Sequence, residues 1–302
     1  MIKIVTAIFL MTFPFFVKAN EPVNLPKVVV SIKPIHSIVA NIADGVFEPV
    51  LLVDGSASPH SFSLRPTDAK NIYDSDVIIL ASKDLEAFLN KPLESYNKNK
   101  KIIELVNIEG IKLYDIRGGD SEHSESEHHH HGEYDPHVWL LPKNAIFIAN
   151  EILNVLVEID PVNTPKYSNN FIKFVVKSNG FDEELSALLK ERSDTPFVVF
   201  HDAFQYFERR YNLKNAGAIT VPATGSIGAK RLRELEKVIN EKKVACIFTE
   251  PQFSSNTIKN IFGDKVRINS LDPIGYEIPA GKDAYFDILR SLANNYNDCL
   301  KG

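Results

Sequence analysis

The chain has 302 residues, of which 44% are hydrophobic and 24% are charged. This balance is typical of globular proteins and excludes a fibrous or intrinsically disordered chain, and the length fits about two domains. The formal net charge of −5 argues against general affinity for nucleic acid, which requires a basic surface.

Residues 1–19 have the features of a secretory signal peptide. Lys3 gives a positive start, residues 4–17 are almost wholly apolar, and Val17-Lys18-Ala19 resembles a small-x-small cleavage site. The apolar run is shorter than the ~20 residues of a membrane-spanning helix, and no later segment is long and apolar enough to cross a bilayer. We therefore expect cleavage after Ala19 and a secreted protein that is not membrane-embedded, with an uncleaved membrane anchor as the alternative.

Residues 20–140 are predicted to form an N-terminal α/β lobe. Short apolar runs alternate with segments of helical periodicity, and this alternation favours a parallel sheet covered by helices on both faces. The predicted strands are 27–32, 49–53, 77–80 and 102–106, and the predicted helices start at Pro34 and cover 66–73 and 85–93.

A tract rich in histidine and acidic residues, 118–134, interrupts this lobe. Its composition cannot bury a core, so we expect a mobile loop. One interpretation is a weak zinc collector that raises the local metal concentration, and the other is a solvated low-complexity segment without a role. The histidines concerned are His123, His128, His129, His130 and His131.

Residues 141–192 are predicted to be connecting helices. The first covers 142–158, and a longer pattern from Asp160-Pro161 to about Arg192 would measure roughly 50 Å. Such a helix would act as a rigid spine. Gly180 weakens its middle by about 1 kcal/mol relative to Ala, so the alternative is a break there.

Residues 193–302 are predicted to form a C-terminal α/β lobe, because strand and helix patterns alternate again. The whole chain is thus predicted to be two α/β lobes, each a mainly parallel sheet flanked by helices, joined by a long rigid helix. In this lobe the predicted strands are 197–200, 216–221, 244–248 and 266–268, and the predicted helices are 203–211, 230–241, 257–262 and 284–298.

The chain has two cysteines, Cys246 and Cys299. When an exported protein has only two cysteines, they usually form a disulfide. Closing a loop of about 54 residues would stabilise the fold by about 4 kcal/mol. The alternative is a thiolate zinc site, but this separation lacks the close spacing that such sites favour. A disulfide is the favoured interpretation.

In open α/β sheets, ligands bind outside the carboxyl ends of the strands. Three histidines lie in segments that fit this position. His60 and His201 each follow a predicted strand, and His137 lies in a short Asp-Pro-His segment. Neutral imidazoles with one oxygen ligand form a common tetrahedral zinc site, and Asp272, after another strand, is a candidate for that oxygen. Spacing alone does not establish the site. His36 lies on the buried side of its helix and is interpreted as structural.

Five motifs, in order along the chain, give it a specific resemblance to a known family. Together they resemble the zinc-binding members of the metal-binding solute-binding proteins of ABC importers, and the resemblance covers nearly the whole mature chain. The motifs are PHSFSLRP at 59–66, DPHVWL at 135–140, HDAFQYF at 201–207, EPQF at 250–253 and LDP at 271–273.

The resemblance implies that His60, His137 and His201 bind Zn²⁺ in the cleft between the lobes. It also implies a periplasmic protein that delivers zinc to the integral-membrane permease of an ABC importer, acts as a monomer, and carries a disulfide-closed C-terminal lobe. Manganese-binding relatives usually carry Glu at the position of His201, and nitrogen there favours zinc. The histidine-rich loop is likewise a feature of the zinc type.

The fourth metal ligand is left open by the sequence. Many zinc-binding relatives carry Glu immediately before the first ligand histidine, but this chain has Pro59. The fourth position then falls to water, to Asp272 or to a loop residue. Glu250 is predicted to contact a ligand histidine rather than to bind the metal itself.

Two other classes of function share features with this sequence. Three histidines with an open fourth position also occur in zinc hydrolases, but the chain has no HExxH motif and no general base placed by local spacing, so we predict that it is not an enzyme. The second alternative is a surface adhesin-like or manganese-binding member of the same family.

Overall fold

The computed structural model of the chain describes residues 25–54, 57–95, 100–117, 134–220, 229–252, 256–263 and 265–301. Within these ranges the chain forms two four-stranded sheets in which every pair of neighbouring strands is parallel. No helix in the described ranges combines the length and the apolar character that crossing a bilayer requires.

The first sheet is built from the apolar runs of the first third of the chain. Its strands are β1 (Val28–Ile32), β2 (Val50–Val53), β3 (Val77–Leu80) and β4 (Lys101–Glu104). They lie in the order β2-β1-β3-β4. Every residue of β1 and β3 is buried, as expected of central strands covered by helices on both faces.

The second sheet repeats this arrangement. Its strands are β5 (Phe197–His201), β6 (Asn215–Thr220), β7 (Cys246–Thr249) and β8 (Arg267–Ser270). They lie in the order β6-β5-β7-β8, so each sheet has its first strand at the second position. Helices connect and cover the strands, which confirms the predicted pair of α/β lobes.

Nine α-helices lie in the described part of the chain. They are α1 (Lys33–Ile42), α2 (Pro66–Asp74), α3 (Asn90–Glu94), α4 (Pro142–Ile159), α5 (Thr164–Leu189), α6 (Gln205–Arg210), α7 (Ala229–Lys242), α8 (Asn256–Phe262) and α9 (Ala284–Leu300). The helical pattern predicted over 85–93 corresponds to two short helical elements rather than to one α-helix. A 3-10 turn precedes α3 there, because Pro92 has no N–H and fits only the first turn of a helix.

The long connecting helix is confirmed as α5, with a 3-10 turn at each end. The helix continues through Gly180, so the alternative of a helix break at this residue is wrong. α5 packs against α1, α4 and α9, which means that helices from both halves of the chain hold it in place. This tertiary packing offsets the weak helix propensity of one glycine.

One hydrophobic core joins the lobes. It runs from both faces of the first sheet through α4 and α5 to the face of the second sheet that carries Phe197 and Phe248, and a smaller separate core covers the other face of the second sheet. Because the main core is continuous, packing does not mark the lobe boundaries at 140/141 and 192/193, and those boundaries stay a prediction.

Polar contacts also cross between the lobes. Lys33 at the start of α1 is buried and donates to the carbonyl oxygens of Gly275 and Ile278, both at 2.6 Å. Trp139 Nε1 donates to the carbonyl of Pro273 at 2.9 Å. These bonds fix the segment after β8 against the first lobe.

The disulfide predicted between Cys246 and Cys299 is present. It joins the first residue of β7 to the last turn of α9. Both cysteines are buried in the main core. The covalent link therefore ties the C-terminal helix to a central strand of the second sheet.

Candidate metal centre

His60 lies in a 3-10 turn, Pro59–Ser61, that follows β2. The turn forms locally because Pro59 fits the first position of a helical turn, and Ser58 Oγ accepts a hydrogen bond from the backbone N–H of His60 at 3.4 Å. The ring atom Nε2 of His60 is buried and has no hydrogen-bond partner in the described part of the chain. A buried nitrogen without a partner is costly unless a ligand uses its lone pair.

His137 precedes the 3-10 turn Val138–Leu140 and is held by Asp135. Oδ1 of this aspartate accepts from the backbone N–H of His137 at 3.0 Å and contacts the ring atom Nδ1 at 2.7 Å. A carboxylate only accepts hydrogen bonds, so Nδ1 carries the proton and Nε2 keeps its lone pair. Asp135 is 3% exposed, which protects this contact from water.

His201 is the last residue of β5, and Glu250 directly follows the neighbouring strand β7. Parallel neighbours end at the same edge of a sheet, which brings the two side chains together. Glu250 Oε1 lies 2.9 Å from His201 Nδ1, and Glu250 is 4% exposed. The same reasoning as for His137 leaves Nε2 of His201 free to bind a metal.

The structure brings the three predicted histidines together. One ligand atom from each lies within 4.8 Å of the other two, and the ring centroids are 5.2–6.3 Å apart. Nitrogens bound to one tetrahedral Zn²⁺ at about 2.0–2.1 Å lie about 3.3 Å apart, which this spacing accommodates. The rings line a cavity of about 20 Å³, a size that holds one small species.

Burial and charge affect the histidines differently. Burial, together with the two neighbouring imidazoles, lowers the pKa of His60 to about 3. Burial also disfavours protonation of His201, but the charge and hydrogen bond of Glu250 outweigh it and raise the pKa of His201 above its ordinary value. His60 therefore stays neutral in mild acid, whereas His201 takes up a proton at a higher pH than His60 does.

Asp272 does not join the histidines in the group of candidate ligand atoms found among the described residues. Its Oδ1 accepts from the backbone N–H groups of Ile274 at 3.1 Å and Gly275 at 2.9 Å, and its Oδ2 accepts from that of Tyr276. Gly275 has φ +74°, a conformation that favours glycine. The carboxylate thus holds a turn of the segment that lines the cavity.

His36 lies away from this group, in α1. It is buried, and its Nε2 is 3.0 Å from the carbonyl oxygen of Pro49. Burial lowers its pKa. Its position agrees with the structural interpretation made from the sequence.

Three residues of the site were missed by sequence reasoning. Asp135 orients His137, the Trp139 ring lies 5.2 Å from that of His137, and Gln252 lines the cavity. All three fall inside the quoted motifs, so the signal for them was proximity to a predicted ligand. Their contacts depend on side-chain direction, which spacing does not specify.

The predicted auxiliary histidines, His123 and His128 to His131, lie outside the described residues. The described residues on either side of them are well anchored. Asp115 and Tyr134 form an antiparallel bridge, and Arg117 makes ion pairs with Asp202 and the buried Glu208. Since Asp202 follows His201, Arg117 lies beside the candidate metal centre.

Comparison with known proteins agrees with this arrangement. A protein in Brucella abortus (strain 2308), the high-affinity zinc uptake system protein ZnuA, is 39% identical over 308 residues, covering 90% of this chain and 91% of its own length. The protein of the same name in Yersinia pestis is 35% identical, covering 93% and 94%. The solved structure of the periplasmic zinc-binding protein TroA from Treponema pallidum is similar in fold, with a TM-score of 0.79 and 18% sequence identity, covering 92% of this chain and all of its own.

The family model for the zinc-uptake complex component A, periplasmic, matches residues 28–299. This range contains both sheets, the nine helices described above except for the last residue of α9, and the three clustered histidines. The chain belongs to the family of the periplasmic component A of zinc-uptake complexes.

Proposed function

We propose that this protein captures Zn²⁺ in the periplasm and delivers it to the membrane permease of an ABC importer. The observation that carries the proposal is the convergence of His60, His137 and His201 on one small cavity. Nitrogen ligands suit zinc better than manganese, which prefers oxygen. The relatives described above are named for high-affinity zinc uptake, which supports the same assignment.

In this proposal the metal is the cargo and the protein's residues bind and orient it. Asp135 and Glu250 fix the two ring tautomers, so that Nε2 of His137 and of His201 is presented without prior rearrangement. His60 contributes the third nitrogen, so that His60 and His137 come from the first lobe and His201 from the second. Two buried carboxylates behind the rings also balance the charge of a divalent cation.

Binding rather than catalysis is the function that this geometry favours. Glu250, a buried acid beside His201, is engaged with Nδ1 of that ring and is therefore poorly placed to act as a general base. The continuous core between the lobes favours a small rearrangement on metal binding. A monomer remains the prediction for the oligomeric state, and the histidine-rich tract remains a proposed weaker zinc collector.

The proposal is tested by selectivity and by growth. Metal-stripped protein should bind Zn²⁺ far more tightly than Mn²⁺ in competition with a chromogenic chelator. Deleting the gene in its source cell should slow growth under zinc chelation, with rescue by added zinc but not by manganese. Equal affinity for both metals, or rescue by manganese alone, would contradict the proposed cargo.

A further inference from the structure

The proposed zinc site lacks an evident fourth ligand. Pro59 has no donor atom in its side chain, and both oxygens of Asp272 accept hydrogen bonds from backbone N–H groups. A tetrahedral zinc site with three histidines is completed by one further donor. The fourth donor must therefore come from another residue that lines the cavity.

Gln252 provides such an oxygen. Its side chain lines the cavity beside the three histidines, and its Oε1 is buried without a hydrogen-bond partner in the part of the chain that the structure describes. His60 Nε2 is likewise buried without a hydrogen-bond partner among the described residues. Two electron-pair donors that line one cavity and lack hydrogen-bond donors indicate a site for an electron-pair acceptor.

The orientation of the Gln252 amide follows from its other contact. Its Nε2 donates to Asp272 Oδ1 at 3.3 Å. Asp272 already accepts from several backbone N–H groups, so it faces Gln252 as an acceptor and requires the amide nitrogen, not the oxygen, on its side. The amide oxygen is thereby turned away from Asp272.

We propose that Gln252 Oε1 is the fourth zinc ligand and that Asp272 is the residue that positions it. This inference rests on the proposed function and names a ligand within the same site. Asp272 then acts on the metal only indirectly, through its hydrogen bond with Gln252. It also explains how a chain with Pro59 in place of an acidic ligand completes the coordination of its cargo.

The charge of the site favours a neutral fourth donor. Asp135 and Glu250, both buried, contribute two negative charges behind the rings, which balance Zn²⁺. A carboxylate as the fourth ligand would leave a buried excess negative charge, which is costly. An amide oxygen preserves the balance and, unlike a metal-bound water, has no proton to release near neutral pH.

Cobalt substitution separates an amide ligand from a water ligand. In Co²⁺-loaded protein the visible absorption of the metal should stay constant between about pH 7 and 9.5, because no bound water ionises. In Gln252→Ala, water should take the fourth position and ionise in this range, which adds a pH-dependent transition. The Kd for zinc should rise on the order of tenfold.

Asp272→Asn is the second variant, because it keeps the shape of the side chain and frees the amide of Gln252 to turn over. It should show the same transition, and circular dichroism should confirm a native fold. Wild-type protein that already shows the transition of Gln252→Ala, with the same zinc Kd, would overturn the inference and identify water as the ligand. Cobalt absorption that is insensitive to His201→Ala would instead overturn the proposed function.

Discussion

The two lobes share one strand order but hold their metal-facing histidines differently. In the second lobe His201 ends a central strand and its ring is fixed by the buried Glu250. In the first lobe His60 lies on a 3-10 turn, and its Nε2 has no partner among the residues described. His137, also in the first lobe, is fixed by the buried Asp135 as His201 is by Glu250. The comparison teaches that two of the three rings are preorganised by charge, whereas His60 relies on packing and on the metal.

The largest expected effect concerns the disulfide, which only the second lobe carries. Replacing Cys246 and Cys299 by Ser should lower the free energy of unfolding by about 4 kcal/mol, because the unfolded chain gains the freedom of a loop that the bond had closed. Urea unfolding of the metal-free protein measures this. The zinc Kd should not change, since neither cysteine lines the cavity. Unfolding at the wild-type urea concentration would contradict the expectation.

Removing one histidine from each lobe tests the comparison directly. If four ligands share about 12 kcal/mol of zinc binding, His201→Ala and His60→Ala should each cost about 3 kcal/mol, or about 100-fold in Kd. Only His201→Ala leaves a buried carboxylate without its partner, so it should also destabilise the metal-free protein by about 2 kcal/mol. Thermal unfolding of both metal-free variants gives the answer. Equal stability of the two would remove the proposed difference between His201 and His60.

Glu250→Gln should sharpen the comparison through its pH dependence. Glu250 raises the pKa of His201, and a protonated imidazole cannot bind zinc, so wild-type binding should be lost as the pH falls through that raised pKa. Without the carboxylate, burial lowers the pKa of His201, and the loss should move to lower pH. At neutral pH the affinity should nevertheless fall by about 10-fold.

The measurement for this variant is the zinc Kd between pH 4.5 and 8. Glu86→Gln is the matched control, because Glu86 is equally buried but bonds to Ser31 and to backbone N–H groups away from the cavity lining. The control should keep the wild-type midpoint. A midpoint that stays in place or moves to higher pH in Glu250→Gln would refute the role assigned to Glu250.

The smallest effect concerns the helix that lies between the lobes. Gly180 is inside α5, and a Cβ added there meets nothing within 4 Å. Gly180→Ala should therefore stabilise the protein by about 1 kcal/mol, seen as a higher midpoint of thermal unfolding. Its zinc Kd should equal that of the wild type if α5 is a rigid spine. A loss of affinity would show that α5 has to bend.

Much of this architecture was predictable because its patterns are local. Apolar runs such as 77–80 and 197–200 located strands within a residue or two, and the lone cysteine pair indicated the disulfide. The predicted metal ligands came from the family resemblance, since separations of 77 and 64 residues match no compact zinc motif. The structure then brought those three histidines together.

What the sequence did not reveal depends on side-chain direction. Asp272 follows a strand as a ligand would, yet backbone N–H groups of a tight turn take up its oxygens. Gln252 was quoted only as part of a motif, because a glutamine has no charge or spacing that marks it as a ligand. Its significance depends on which end of the amide faces Asp272.

The central claim is that His60, His137 and His201 form the tight zinc site. Calorimetric titration of metal-stripped protein with zinc should show one tight site in the wild type and in His36→Gln, which removes a buried imidazole outside the cluster. Changing the three histidines to Ala should abolish that site and leave only weaker binding. Tight binding that survives in the triple variant would contradict the account and place the primary site elsewhere in the chain.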